Sequence, residues 1–151
     1  MPRRSKLDLA DYMPYLVNRL GAAFVARFTA DALAPRGVSI AEWRVLAVLG
    51  SSGPQRQTDL SELTSIETST MSRLVTRLIR AGLVSRLRNA RNSREVVVQL
   101  TAQGTKAVTE MTPIALDLEA QAIRALPRRE LAVVKRALRA MHAKLASRGL
   151  G

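Results

Sequence analysis

Between Thr68 and Arg94 the chain carries seven arginines (73, 77, 80, 86, 88, 91 and 94) and no acidic residue. A guanidinium stays charged and presents a flat fork of donors that suits phosphate oxygens and the major-groove edge of guanine. Arg73, Arg77 and Arg80 follow steps of four and three, which puts them on one helix face. Ser69, Thr70, Ser72 and Thr76 share that outer surface, opposite an apolar stripe of Met71, Leu74, Val75, Leu78 and Ile79. Such a face, small at its start and cationic further along, can enter a major groove with its first turns against base edges. The backbone N–H groups at its start are phosphate donors in their own right. Arg91 and Arg94 fall in or beside the tip of a following hairpin, from which a side chain can reach a narrow minor groove. A merely solvated arginine-rich surface is the alternative, and the lack of interspersed acids weighs against it.

Little else in the chain could do chemistry. There is no cysteine, which excludes disulfides, thiolate catalysis, cysteine-ligated zinc and thiol redox sensing. The single histidine, His142, lies on a basic helical segment near Met141 and Leu145, where a helix surface or interface role is expected. The acidic residues are scattered, with no closely spaced set suited to metal binding or acid–base work. No catalytic residue, metal site or cofactor is therefore expected. No apolar run approaches the ~18 residues of a membrane span. Asp8 and Asp11 interrupt the start before any signal-peptide core, so a cytoplasmic location and no membrane partner are expected.

The elements that must position the basic face follow from periodicity. The 151 residues carry a formal charge of +12, and 20 of the 24 basic residues are arginine. This excess favours a polyanionic partner. Apolar residues at 12, 13, 16, 20, 23, 24, 28, 32 and 33 trace one face of a helix over 11–34, with Asp11 as its N-cap and Pro14 in its first turn. So long a helix in so small a chain suggests that a second chain covers part of its face. Ser39 and Glu42 form a capping box opening a second helix through Trp43, Val45, Leu46 and Leu49. A short helix near Thr58–Leu63 and a third periodic run from Thr68 to Ala81 follow, with Gly82 suited to the left-handed position past its end. Val84–Arg88 and Glu95–Leu100 read as two strands joined by a polar loop over Asn89–Arg94. Alternation puts Val96, Val98 and Leu100 on one face. Thr101 caps a helix from Ala102 to about Arg124 that Pro113 should bend or interrupt. Pro127 opens a last helix with the stripe Leu131, Val134, Leu138, Met141 and Leu145. Its eight basic residues over Arg124–Arg148 could serve a lipid surface or a second DNA contact, but a dimer-forming helix accounts better for the stripe. The order is mainly α (α+β), a winged helix-turn-helix between long flanking helices.

Several phrases resemble the MarR family of bacterial winged helix-turn-helix transcriptional regulators over nearly the whole length. They are Ser39-Ile40-Ala41-Glu42-Trp43-Arg44-Val45-Leu46, Leu60-Ser61-Glu62-Leu63, Ile66 through Leu74, Gly82-Leu83-Val84-Ser85-Arg86, and Val98 through Gly104. The resemblance implies one domain over 1–151, with dimerisation helices at 11–34 and 102–148 and a DNA-binding lobe at 39–101. It implies a homodimer on a pseudo-palindromic double-stranded operator, usually a repressor released by a small, often aromatic and anionic, effector. By position, Ser69, Thr70, Ser72, Arg73 and Arg77 match the DNA-reading helix and Arg94 the wing arginine. The family's wing pattern Asp-x-Arg is here Asn92-Ser93-Arg94, so the acid that orients the arginine is replaced by an uncharged acceptor. Ser72 and Arg86 match positions implicated in binding aromatic carboxylates, and Tyr15, Arg19 and Trp43 add an aromatic wall and a guanidinium. Two other readings are a winged-helix protein-interaction or antirepressor module and a non-specific, nucleoid-like DNA binder.

Overall fold

The computed structural model describes residues 6–89 and 92–147. The chain divides into two compact units, Met1–Leu116 and Asp117–Gly151. The first contains α1 (Met13–Phe28), α2 (Ile40–Ser52), β1 (Gln55–Arg56), α3 (Gln57–Thr64), α4 (Thr68–Arg80), β2 (Val84–Asn89), β3 (Asn92–Leu100) and most of α5 (Ala102–Ile123). The second holds the end of α5 and α6 (Arg128–Ala146). Three antiparallel strands form one sheet in the order β1-β3-β2. This is the mainly α winged-helix architecture expected from the pattern.

Local signals act where they were read. Ser39 Oγ accepts the Glu42 N–H at 3.1 Å while Glu42 Oε2 accepts the Ser39 N–H at 3.2 Å, completing the capping box of α2. α4 ends with Gly82 at φ 77°. The Gly82 N–H bonds the Ile79 carbonyl and the Leu83 N–H the Leu78 carbonyl, both at 3.0 Å, satisfying carbonyls that the helix end would orphan. Thr101 Oγ1 accepts the Gly104 N–H at 3.0 Å and donates to the Gly82 carbonyl at 2.6 Å, so one hydroxyl caps α5 and ties it to the turn before the wing. Leu46, Leu60, Met71, Val75, Leu78, Val84, Val98 and Met111 are fully or almost fully buried in the first unit. The stripe read on α4 is therefore the core side of that helix.

Five expectations change. Asp11 does not cap α1: it ends a 3-10 turn, Leu9–Asp11, capped by Asp8, and extended Tyr12 separates that turn from α1. The 11–34 run is not one α-helix, because α1 passes into a π-helical turn at Thr29–Leu33 and a 3-10 turn at Ala34–Arg36. The loop over Asn89–Arg94 is shorter than read, since pairing continues to Asn89↔Asn92, with a register irregularity at Arg88/Asn89. β1 is an unforeseen third strand, pairing Gln55 with Val98 and Arg56 with Val97. Of the bend or interruption expected at Pro113, the interruption is absent, and α5 runs through that residue as one helix. Pro113 and Thr109, the residue whose carbonyl loses its N–H partner, are both exposed, so water can satisfy that carbonyl.

Candidate nucleic-acid interface

α4 is amphipathic because its buried residues recur at 71, 74, 75 and 78, leaving the remaining positions to solvent. Ser69, Ser72, Arg73, Arg77 and Arg80 are exposed, and Thr70 and Thr76 are half-buried. Ser72, Arg73, Thr76, Arg77 and Arg80 line one open groove of about 370 Å³. The Thr76 hydroxyl donates to the Ser72 carbonyl at 3.0 Å, which leaves it an acceptor toward the groove. Glu67 occupies the N-cap of α4 with no side-chain cap bond. The first N–H groups of α4 are thus not claimed by a capping side chain, as an anion-binding helix start requires.

The three arginines of α4 are not equivalent. Arg77 Nη1 donates to Glu42 Oε1 at 3.0 Å, from a guanidinium side chain still 62% exposed to a carboxylate side chain only 8% exposed. Beyond its role as a cap, Glu42 uses its second oxygen, across 35 residues of sequence, to hold α4. Arg86 and Arg88 lie on β2, both exposed. They share a sheet face with buried Val84 and Val98, since cross-strand partners Arg86↔Val98 and Arg88↔Val96 point the same way. The alternation read for β3 holds at Val98, which is buried, while Val96 further out on the same face is exposed. Arg91 lies outside the described residues, and Arg94 is placed by its backbone as the third residue of β3.

The wing has a brace at its base that the sequence reading missed. Arg56 on β1 donates to both carboxylate oxygens of Asp59 on α3, at 2.9 and 3.1 Å, and lies 3.5 Å from Glu95 on β3. The Asp59 carboxyl is held below its ordinary value by the Arg56 hydrogen bond and charge, and Arg56 is raised correspondingly. The only signal was the i, i+3 spacing of Arg56 and Asp59, which predicts a bidentate pair at a helix start but not its reach to β3.

The five ligand candidates fall in four places, with only Tyr15 and Arg19 brought together. The guanidinium of Arg19 sits 5.7 Å from the centre of the Tyr15 ring, one turn away on α1. Trp43 packs against Phe28, ring centroids 5.1 Å apart and tilted by 56°. Ser72 lines the α4 groove, and Arg86 is on the wing. Another cavity, of about 290 Å³, is lined by Arg36, Val38, Leu83, Gln103, Lys106, Ala107 and Glu110. Glu110 there lies within 3.8 Å of Arg36 and 3.9 Å of Lys106. Among the described residues no group of three or more acidic or histidine side chains could hold a metal ion, and no helix is long and apolar enough to cross a membrane.

Comparison with known proteins agrees with this geometry. The transcriptional regulator FarR of Neisseria gonorrhoeae is 33% identical over 70 residues, 46% of this chain, and the match spans about half (48%) of that relative's length. The crystal structure of a MarR family transcriptional regulator from Silicibacter pomeroyi superposes with a TM-score of 0.83, at 25% identity, over 97% of this chain and 98% of that one. The structure of BpsR from Bordetella bronchiseptica, described with the regulation of its DNA binding by 6-hydroxynicotinic acid, matches with a TM-score of 0.75 at 25% identity, over 86% of this chain and 98% of that one. Residues 38–96, from the end of the first helical segment through α4 to the wing, match the sequence profile of the MarR family. With its exposed basic helix, its wing and this shared fold, the chain is similar to transcriptional regulators of the MarR family, whose model its residues 38–96 match.

Proposed function

We propose that the protein is a homodimeric, sequence-specific DNA-binding repressor that reads a pseudo-palindromic operator through α4 of each copy and releases it on binding a small aromatic anion. The observation that carries the reading is the outer face of α4: exposed Ser69, Ser72, Arg73 and Arg80 with half-buried Thr70 and Thr76, above a fully apolar inner face. Arg73 and Arg80 supply phosphate or guanine contacts, the hydroxyls meet base edges, and Arg91 and Arg94 extend the contact into the minor groove. Two copies would carry twice the +12 of one chain, so affinity falls steeply with salt.

The dimer is supported by apolar side chains left at the surface of each unit. Tyr12, Met13, Leu16, Val17 and Leu20 are exposed at the start of the first unit, and Val134, Leu138 and Leu145 on α6 of the second. Apolar patches of this kind mark association surfaces. The effector reading draws on BpsR and on the aromatic and guanidinium groups of Tyr15, Arg19, Trp43 and Arg86, with Ser72 as a polar partner. The chemistry fits an aromatic carboxylate, which needs a π face and a charge-assisted donor.

The test is selection of bound fragments from the source genome. A recovered inverted repeat, bound far more tightly than random duplex and released by an aromatic carboxylate such as 6-hydroxynicotinic acid, supports the reading. Equal affinity for selected and random duplex would mean a nucleoid-like binder, and no duplex binding a protein-interaction module.

A further inference from the structure

Glu42 is the one buried charged residue in the described chain, only 6% exposed. A desolvated carboxylate needs partners on both oxygens. Oε2 takes the Ser39 N–H at 3.2 Å and Oε1 takes Arg77 Nη1 at 3.0 Å. The same carboxylate thus caps α2 and grips the outer face of α4. One residue further along α2, Trp43 packs on Phe28, the last residue of α1 before the π-helical turn.

We infer that Glu42 and Arg77 form a latch that positions α4 for base reading, with Arg77 acting through the orientation of its helix and not as a phosphate contact. This rests on the DNA-binding reading above. Turning the guanidinium away to a phosphate would leave the buried carboxylate with the Ser39 N–H alone, a large loss set against a solvent-screened contact on the DNA surface. A paired guanidinium is also locally neutralised, so it displaces few condensed counterions. Among the described residues neither Arg73 nor Arg80 has such an acid, and both remain phosphate-facing cations of the groove. The assignment therefore moves Arg77 from the residues that touch DNA to those that aim them.

Salt dependence separates the two roles, because a structural or positioning residue leaves it unchanged while a phosphate contact does not. The measurement is the salt dependence of binding, by fluorescence anisotropy, to a selected genomic duplex and to a random duplex of equal length. Wild-type protein that fails to discriminate the duplexes would sink the functional reading itself, before any variant is considered. Given discrimination, Arg73→Ala lowers the slope of log K against log[salt] by about 1. Arg77→Ala leaves the slope unchanged and cuts the selected-to-random affinity ratio about tenfold, the worth of one charge-assisted hydrogen bond. Glu42→Gln keeps a cap acceptor but frees the guanidinium, so the random duplex binds more tightly and the slope steepens. The added substitution Arg77→Ala in that background returns the slope to that of Arg77→Ala alone. A slope reduced by about 1 in Arg77→Ala would overturn the proposal, as would an unchanged affinity ratio. If Arg77→Ala does not fold, Glu42→Gln decides: no change in slope or in the ratio overturns the latch.

Discussion

The start of α5 offers a sharp test of how the wing is held. Gly104 is buried, and a Cβ there would lie 1.9 Å from the Leu83 carbonyl oxygen, 3.0 Å from its carbon and 3.2 Å from Leu100 Cδ2. Helix propensity alone says that Gly104→Ala should stabilise by up to ~1 kcal/mol. The contact says the opposite, and it is larger. An ordinary contact needs roughly 1.5 Å more room, and the obstacle is backbone, which cannot rotate away as a side-chain tip can. That carbonyl accepts the Thr101 N–H at 3.1 Å, and the Thr101 hydroxyl caps Gly104 itself. Overpacking costs about 1–3 kcal/mol, and disturbing the Thr101 hydrogen bonds adds about 1 kcal/mol each. Net of the propensity gain, Gly104→Ala is expected to destabilise by about 3 kcal/mol, lowering Tm by roughly 6–12 °C. Urea unfolding at fixed protein concentration measures the change, with the midpoint shifting and the slope unaltered. Because Leu83 precedes the Val84↔Leu100 pair, both feet of the wing move, and affinity for the selected duplex falls as well. Unchanged or increased stability would refute the argument that α5 is seated against the Leu83 carbonyl.

Gly21, on α1, has nothing within 4 Å of a built Cβ, so Gly21→Ala should raise stability by about 0.5–1 kcal/mol; a loss in the same urea assay would mean that a second chain packs against that position. On the dimer reading, Leu138→Glu charges a side chain 42% exposed on α6 and should give a monomer by sedimentation at micromolar concentration. Its operator affinity should fall by about 100-fold as bivalent engagement is lost, and a persisting dimer would place the interface elsewhere. Asp59 titrates below its ordinary value of 3.8 because Arg56 donates to it. Its stabilising share is present above that value and is lost as pH falls through the lowered one. Carboxyl carbon NMR should show the Asp59 midpoint rising in Arg56→Ala, and an unmoved midpoint would mean the bidentate pair does not form in solution.

What the sequence made legible is local. The Ser39–Glu42 box, the left-handed Gly82, the Thr101 cap and the α4 stripe each depend on residues within one or two turns, where hydrogen-bond geometry is set by spacing. The elements that were missed depend on partners far away in sequence. β1 is two residues long, too short for any periodicity, and exists because Gln55 and Arg56 find Val98 and Val97. Asp11 fails as the cap of α1 because the extended backbone of Tyr12 intervenes, a conformation that spacing alone does not give. The exposed face of α4 followed from its pattern, but which of its arginines was already engaged could not, since Glu42 lies on another helix. The effector candidates were the least legible: a pocket is assembled from several elements, and Tyr15 with Arg19, Trp43, Ser72 and Arg86 do not share one pattern.

α2 links these observations within the first unit. Its N-terminus is closed by Glu42, whose free oxygen holds Arg77 on α4. Its next residue packs on the last ring of α1, and Val45, Leu46 and Leu49 fill the core beneath α4. Near its end Gly50 approaches α5 so closely that a Cβ would sit 2.8 Å from Val108 Cγ1. A rigid element in contact with α1, α4 and α5 cannot shift at one of them without straining the others, because packed interiors yield in discrete rearrangements and not by smooth compression. On the DNA-binding reading proposed above, the orientation of α4 is therefore set by side chains that do not themselves reach DNA. Substitutions along α2 should accordingly alter discrimination between duplexes more than the salt dependence of binding, the reverse of substitutions at Arg73.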